Sequence, residues 1–305
     1  MDEFNNGFIS RAAWFEIRFQ LRALEGGSVP RFLGPVIHGA FGHALQQACE
    51  VFPDASGIND LCYSGGVSDG RPANKPKWCQ PFAFDVGLNE GGGVQPGQII
   101  SAMLIGKPVL ASQAAFFPVL LLALQIMVQN GLGPDLVKFD VSEAQIFPAP
   151  VFKPRRDGIE IFPSVYKSQT ILRERKFRER AAIVLKTPTQ LVSKGRMLRK
   201  MDGQIFFRRL WQRLVAWTGM EAGKTIKPPF LDEIEMEHDA THWWKVERYS
   251  TRQHKRLDIS GMVGEAIFRG LDQFSWNLLV LGERLHVGKN TTSGLGKYLL
   301  RWGYA

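Results

Sequence analysis

Cysteine is scarce in this chain. Cys49, Cys62 and Cys79 are the only three among 305 residues, and no C-x-x-C pair occurs. An odd number at wide spacing argues against a disulfide framework, and a tetrahedral zinc site needs four ligands. No metal and no cofactor are therefore expected. The start, "MDEFNNGFIS", does not read as a secretory leader. An uninterrupted membrane span is also missing. The most apolar run, "VLASQAAFFPVLLLALQIMVQ" (109–129), is long enough for a bilayer, but it contains Gln113, Pro118 and Gln125 and lacks flanking cationic anchors. A buried helix starting near Phe117 or Pro118 is expected instead, in a cytoplasmic protein with no membrane contact.

Nucleotide-binding signatures are lacking too. The stretch "LHVGKNTTSGLGKYLLRW" (285–302) is cationic and glycine-rich. A Walker A loop or a dinucleotide fingerprint would run from strand to loop to helix. Here the order is helix, loop, strand. What remains is either a tight turn using glycine for positive φ, or a loop whose backbone amides and Lys289 meet a phosphodiester.

Acidic residues are sparse in one central region. Residues 164–213 hold fourteen Lys and Arg against Glu174, Glu179 and Asp202, a net of +11. The whole chain carries +9, which leaves −2 for everything else. A solvated face normally mixes signs, so this stretch points to an anion-binding surface.

The length suits one large domain or two of ordinary size, and 45% hydrophobic residues suffice for packed cores. "WFEIRFQLRAL" (14–24) alternates like a strand, with Phe15, Ile17, Phe19 and Leu21 on one face. Pro30 opens a helix whose apolar positions, Leu33, Ile37, Ala40, Phe41, Ala44 and Ala48, follow helical spacing. An irregular Gly/Pro/Asn/Asp-rich insertion follows near 53–80. Strands are expected at 81–87, 98–106 and 136–147, with a helix at 117–130. After a Pro-rich connector (147–156) the plan repeats. Strands fall at 180–188, 242–252, 259–270 and 297–302, with helices at 204–219 and 271–288. The fold class is therefore α+β: two tandem ferredoxin-like (RRM-like) βαββαβ domains, 1–150 and 151–305, the second ending in the glycine-rich loop.

Four stretches carry a family resemblance: "FLGPVIHGAFGHALQQACEV", "LKTPTQLVSKGRML", "WKVERYSTRQHKRLDISGMVGEAIF" and "GERLHVGKNTTSGLGKYLL". Together they resemble the CRISPR precursor-RNA processing endoribonucleases, the Cas-six family of the RAMP superfamily. The stretch from Gly288 through Gly296 looks like that family's C-terminal glycine-rich signature. The resemblance implies a CRISPR repeat RNA, or the mature crRNA, as partner. It also implies metal-independent cleavage at the 3′ base of a repeat stem-loop, with the enzyme able to stay on its product alongside other Cas effector subunits, as monomer or homodimer. The alternative is a catalytically inactive crRNA-binding structural subunit.

Metal-free cleavage uses the substrate's 2′-OH as nucleophile, so the protein must move two protons and hold charge on the phosphorane. Histidine titrates in the right range. Of His38, His43, His238, His242, His254 and His286, the first two lie on the first helix, where the family often keeps its catalytic histidine. Five residues apart is about 500° of helix, so the two flank the apolar stripe on opposite sides. His43, within "GHAL", is the closer match as base or acid, and His38 is second. Both can also be surface or packing histidines. For RNA contact the candidates are Arg173, Arg175, Lys176, Arg178 and Arg180, read as a basic arm or helix. Arg196, Arg199 and Lys200 follow, then Arg248, Arg252, Lys255 and Arg256 on a basic hairpin, and Gly288, Lys289, Gly294 and Gly296 in the terminal loop. Gly39 and Gly42 suit close approach of the first helix to another backbone or to RNA. Trp211, Trp217, Trp243 and Trp244 read as core rather than base-stacking.

Overall fold

The computed structural model describes residues 7, 9–64, 80–89, 91–113, 115–149, 151–155, 158–162, 164–219, 233–250 and 255–301. The chain forms two compact units, Ala13–Tyr166 and Lys167–Ala305, and residues 1–12 join the second. The sequence reading divides the chain at 150/151, whereas the structure divides it at 166/167. The Pro-rich connector is not a linker: Val151–Arg155 and Gly158–Phe162 pair as a hairpin within the first unit. The Ser168 amide donates to the Ala12 carbonyl at 2.9 Å, which ties the N-terminal segment to the second unit.

The first unit runs β1 (Ala13–Ala23), α1 (Gly34–Val51), β2 (Phe82–Val86), β3 (Ile99–Gly106), α2 (Phe116–Asn130) and β4 (Phe139–Phe147). The strands are antiparallel in the order β2-β3-β1-β4. Alternation in β1 sends Phe15, Ile17, Phe19 and Leu21 into the core, where they meet Ile37, Phe41, Ala44, Leu45 and Ala48 of α1. Each large side chain so buried contributes roughly 1.5–3 kcal/mol. The apolar run at 109–129 is a core helix, with Val119, Leu120, Ala123, Leu124, Met127 and Val128 buried. Among the described residues, no helix is long and apolar enough to cross a membrane.

The second unit runs β5 (Ala181–Thr189), α3 (Gly203–Thr218), β6 (Glu235–Trp244), β7 (Gly261–Arg269), α4 (Gln273–Leu285) and β8 (Tyr298–Arg301), in the order β6-β7-β5-β8. Thus both sheets put their first strand between the third and the fourth. Asp202 caps α3 by accepting from the Ile205 amide, and Gly219 ends it in the left-handed region at φ 69°. Asp272 and Ser275 form a capping box on α4. Trp211 and Trp217 are buried along α3 as expected, while Trp243 and Trp244 are half-buried.

Four local expectations need correction. Helix α1 begins at Gly34 rather than Pro30, because Phe32 is engaged in a β-bridge with Leu88 and Pro35 occupies the first turn. The insertion is not wholly irregular: Pro53–Ala55, Ser56–Asn59 and Asp60–Ser64 form successive helical turns, and 65–79 lies outside the described residues. The strand expected at 242–252 is two elements: β6 ends at Trp244, and Glu247–Ser250 pairs with Lys255–Asp258 in a hairpin of its own. The segment 173–180 is not a helix, since the short helix Ser168–Arg173 ends where it begins. Cys62 is buried, which pushes its thiol pKa up, and Cys49 is half-buried; both are free. Cys79 lies outside the described residues.

Candidate functional site

In the first unit, α1 separates its two histidines as the spacing requires. His43 is exposed on the outer face of the helix. His38 is half-buried among aromatics: its ring stacks on Phe82 at 5.8 Å, with Tyr63 at 5.5 Å and Phe84 at 6.5 Å. Tyr63 also donates its hydroxyl to the His38 carbonyl at 3.0 Å. A Cβ on Gly42 would lie 3.0 Å from the Tyr63 ring, so glycine there admits Tyr63 rather than another backbone; at Gly39 nothing lies within 4 Å. A solvent-facing imidazole can exchange protons with a docked substrate, whereas the His38 ring lies among Phe82, Phe84 and Tyr63. Tyr63 escaped the sequence reading because it sits in the segment taken as irregular.

In the second unit the central positive stretch divides by partner. Arg173, Lys176 and Arg178 are exposed. Arg175 pairs with Glu283 at 3.5 Å, and Arg180 grips Glu237 in a fork at 2.7 and 2.9 Å, which lowers the Glu237 pKa and raises that of Arg180. These two cations are therefore engaged inside the unit. Further along, Val192–Ser193 and Arg196–Met197 form a tight hairpin whose tip, Lys194 (φ 48°) and Gly195 (φ 79°), is left-handed at both positions. Arg209 fastens that hairpin by donating to the Val192 carbonyl. Arg196, Arg199 and Lys200 are exposed, and the Arg199 guanidinium sits 5.4 Å over the Trp243 ring.

The basic hairpin near 250 is less uniform than expected. Arg248 is half-buried, and burial lowers its pKa; Arg256 is 81% exposed, with Glu247 at 3.6 Å. The Lys255 backbone pairs with Ser250, while Arg252 and His254 lie outside the described residues.

Of the two readings of the terminal loop, a tight turn or amides that meet phosphate, the hydrogen bonds favour the turn: the backbone amides of Val287, Lys289, Ser293, Gly294, Leu295, Gly296 and Lys297 all donate inside the unit. The end of β5 is their template. Gly296 donates to the Pro188 carbonyl, Lys289 to the Gln190 carbonyl, and Lys297 to the Thr187 hydroxyl, which itself donates to the Gly294 carbonyl. Gly288, Gly294 and Gly296 have φ of 91°, 84° and 74°. A Cβ on Gly296 would lie 1.9 Å from the Val287 oxygen, and one on Gly288 would lie 2.4 Å from the Gln190 oxygen. The glycines seat the loop against the protein, and its free cationic arm is the exposed Lys289 side chain. Among the described residues, no group of three or more His, Cys, Asp or Glu is placed to hold a metal ion.

Residues 183–298 match the family model described as CRISPR-associated endoribonuclease Cas6, and residues 12–164 match a second model described as an N-terminal domain. Over most of its second unit the chain therefore resembles the Cas6 family. Solved Cas6 structures agree in fold across both units. A Cas6 product complex aligns at TM-score 0.57 and 16% identity, over 94% of this chain and 99% of that one. Thermus thermophilus Cas6 aligns at TM-score 0.54 and 16% identity, over 95% and 99%. A chain of a partial Cas6-RT-Cas1–Cas2 complex aligns at TM-score 0.56 and 12% identity, over 96% of this chain and 46% of that one. No curated protein matches the sequence.

Proposed function

We propose that this protein is a Cas6-family endoribonuclease that binds the stem-loop of a CRISPR repeat and cuts at the 3′ base of the stem. Attack by the 2′-OH would leave a 2′,3′-cyclic phosphate and a 5′-OH. The observation that carries the reading is the match of the second unit to the Cas6 endoribonuclease model. Both units are read as ferredoxin-like domains, in keeping with their βαββαβ order. His43 acts as the base or acid, since an exposed imidazole is free to meet substrate. Arg173, Lys176, Arg178, Arg196, Arg199, Lys200, Arg256 and Lys289 bind phosphates. The mature crRNA stays bound, and other Cas subunits are the further partners.

Cleavage of a labelled repeat should persist undiminished in EDTA, because both proton transfers can run through side chains without a Lewis acid. Loss of cleavage on chelation, restored by Mg²⁺ or Mn²⁺, would overturn the mechanism. Tight repeat binding with no cleavage under any condition would favour the inactive structural subunit.

Affinity for the repeat should fall steeply with salt. Neutralising Arg173, Lys176 and Arg178 together should flatten the slope of log K against log salt by roughly 0.7–0.9 for each phosphate deprived of its cation. Neutralising Arg175 and Arg180 should instead lower thermal stability and leave the slope near wild type, since their partners are Glu283 and Glu237. Titrations at several salt concentrations decide it. An unchanged slope in the three-site variant would mean that these cations are merely solvated.

A further inference from the structure

One buried polar residue lies at the junction of three cationic segments of the second unit. Gln190, just beyond β5, is 4% exposed. Its side-chain oxygen accepts from the Asn290 side chain at 2.9 Å, and its carbonyl accepts from the Lys289 amide at 3.1 Å. Both bonds fix the glycine loop. Its side-chain amide donates to the Ser260 carbonyl at 2.9 Å. Ser260 in turn clamps the base of the 247–258 hairpin, where its hydroxyl accepts from the Val246 amide at 2.9 Å and its own amide donates to Asp258 at 2.8 Å. On the chain side, Gln190 leads into Leu191, whose carbonyl accepts from the Leu198 amide at 2.8 Å and so closes the Lys194–Gly195 hairpin. One residue thus touches the supports of Lys289, of Arg256 and of Lys194 with Arg196.

We propose that Gln190 is a positioning residue for RNA binding, which holds these three basic segments at fixed mutual spacing so that they meet successive phosphates of one RNA at once. The proposal rests on the RNA-binding reading above. A phosphate backbone presents charges at regular intervals, and cations on independently mobile loops would each lose conformational entropy on binding. Segments already locked to one another avoid that loss. A glutamine suits the junction because it is neutral, accepts and donates at the same time, and has a partner for both its side-chain oxygen and its side-chain nitrogen in the buried position.

The test is a double-mutant cycle on binding of a repeat stem-loop RNA. Gln190→Met keeps the volume and removes both side-chain hydrogen bonds. It should weaken binding by about tenfold and lower the salt slope by the equivalent of about one phosphate. Lys289→Ala should then cost far less in the Gln190→Met background than in wild type, and Arg256→Ala should behave likewise. Asn290→Gly removes only the loop arm and keeps the backbone easy at φ 56°. It should give two- to threefold weaker binding, again coupled to Lys289, and it decides the question if Gln190→Met does not fold. A purely structural role would lower the melting temperature while leaving the slope and the additivity of the lysine and arginine variants untouched, and that result overturns the proposal. If the wild-type protein itself shows no salt-dependent binding to the repeat, the RNA reading falls and the proposal with it.

Discussion

His43→Ala should lower the single-turnover cleavage rate by roughly 10²–10⁴, the range of a lost general acid or base, with repeat affinity almost unchanged. The side chain is exposed and makes no contribution to the packed face of α1, so its removal should leave the fold intact. His38→Ala should behave in the opposite way. It strips a ring that stacks on Phe82 and lies beside Tyr63, so it should lower the melting temperature first and activity only in consequence. The two variants are compared in the same labelled-repeat assay alongside thermal melts. A wild-type rate for His43→Ala, with a collapse for a folded His38→Ala, would reverse the assignment. A wild-type rate for both would move the chemistry to another residue.

The second large effect concerns folding. Gly296→Ala should destabilise the second unit by about 3 kcal/mol or more, because its new Cβ would sit 1.9 Å from the Val287 carbonyl oxygen at a φ of 74°. That is a large share of the stability of an ordinary domain. Gly195→Ala is the control. It has a similar φ of 79° with nothing within 4 Å of the added atom, so only the backbone penalty of about 1 kcal/mol applies. Urea titrations of both variants give the comparison. Equal effects would mean that the close approach at Gly296 is not the reason for the glycine. The result also bears on how the loop is probed: weaker RNA binding by a Gly296 variant reports disturbed packing before it reports anything about the loop and the RNA.

What was legible in the sequence followed from periodicity and caps. The alternation of β1, the apolar stripe of α1 and the uniformly apolar α2 all carried their own signal, since each buries a face of regular period. The start of β6 carried none. Glu235–Ala240 is exposed throughout, so no apolar alternation marked it, and Trp243 and Trp244 gave the stronger signal instead. The helical turns at 53–64 were hidden by Gly, Pro and Asn, residues that also write loops. The charge count located the cationic stretch, but charge counting cannot tell Arg178, which faces solvent, from Arg180, whose partner Glu237 is fifty-seven residues away. Gln190 lies within the stretch "LKTPTQLVSKGRML", where nothing about its type sets it apart. A clue was present: β5 ends with Thr187 and Thr189 and Gln190 follows it, and polar residues at the end of an apolar strand must find bonding partners if they stay inside. All three are buried.

The exposed flank of β6 has a consequence of another kind. Among the described residues β6 borders its sheet, and a ten-residue strand so placed offers open hydrogen-bonding groups to any passing extended chain, including a second copy of itself. Here the border carries Glu235, Glu237 and Asp239 at alternate positions, and a copy sliding alongside would bring like charges together. Glu235 and Glu237 are each drawn to an arginine of their own unit, Arg269 and Arg180. The same residues thus discourage fibril-like stacking along the border of the second sheet.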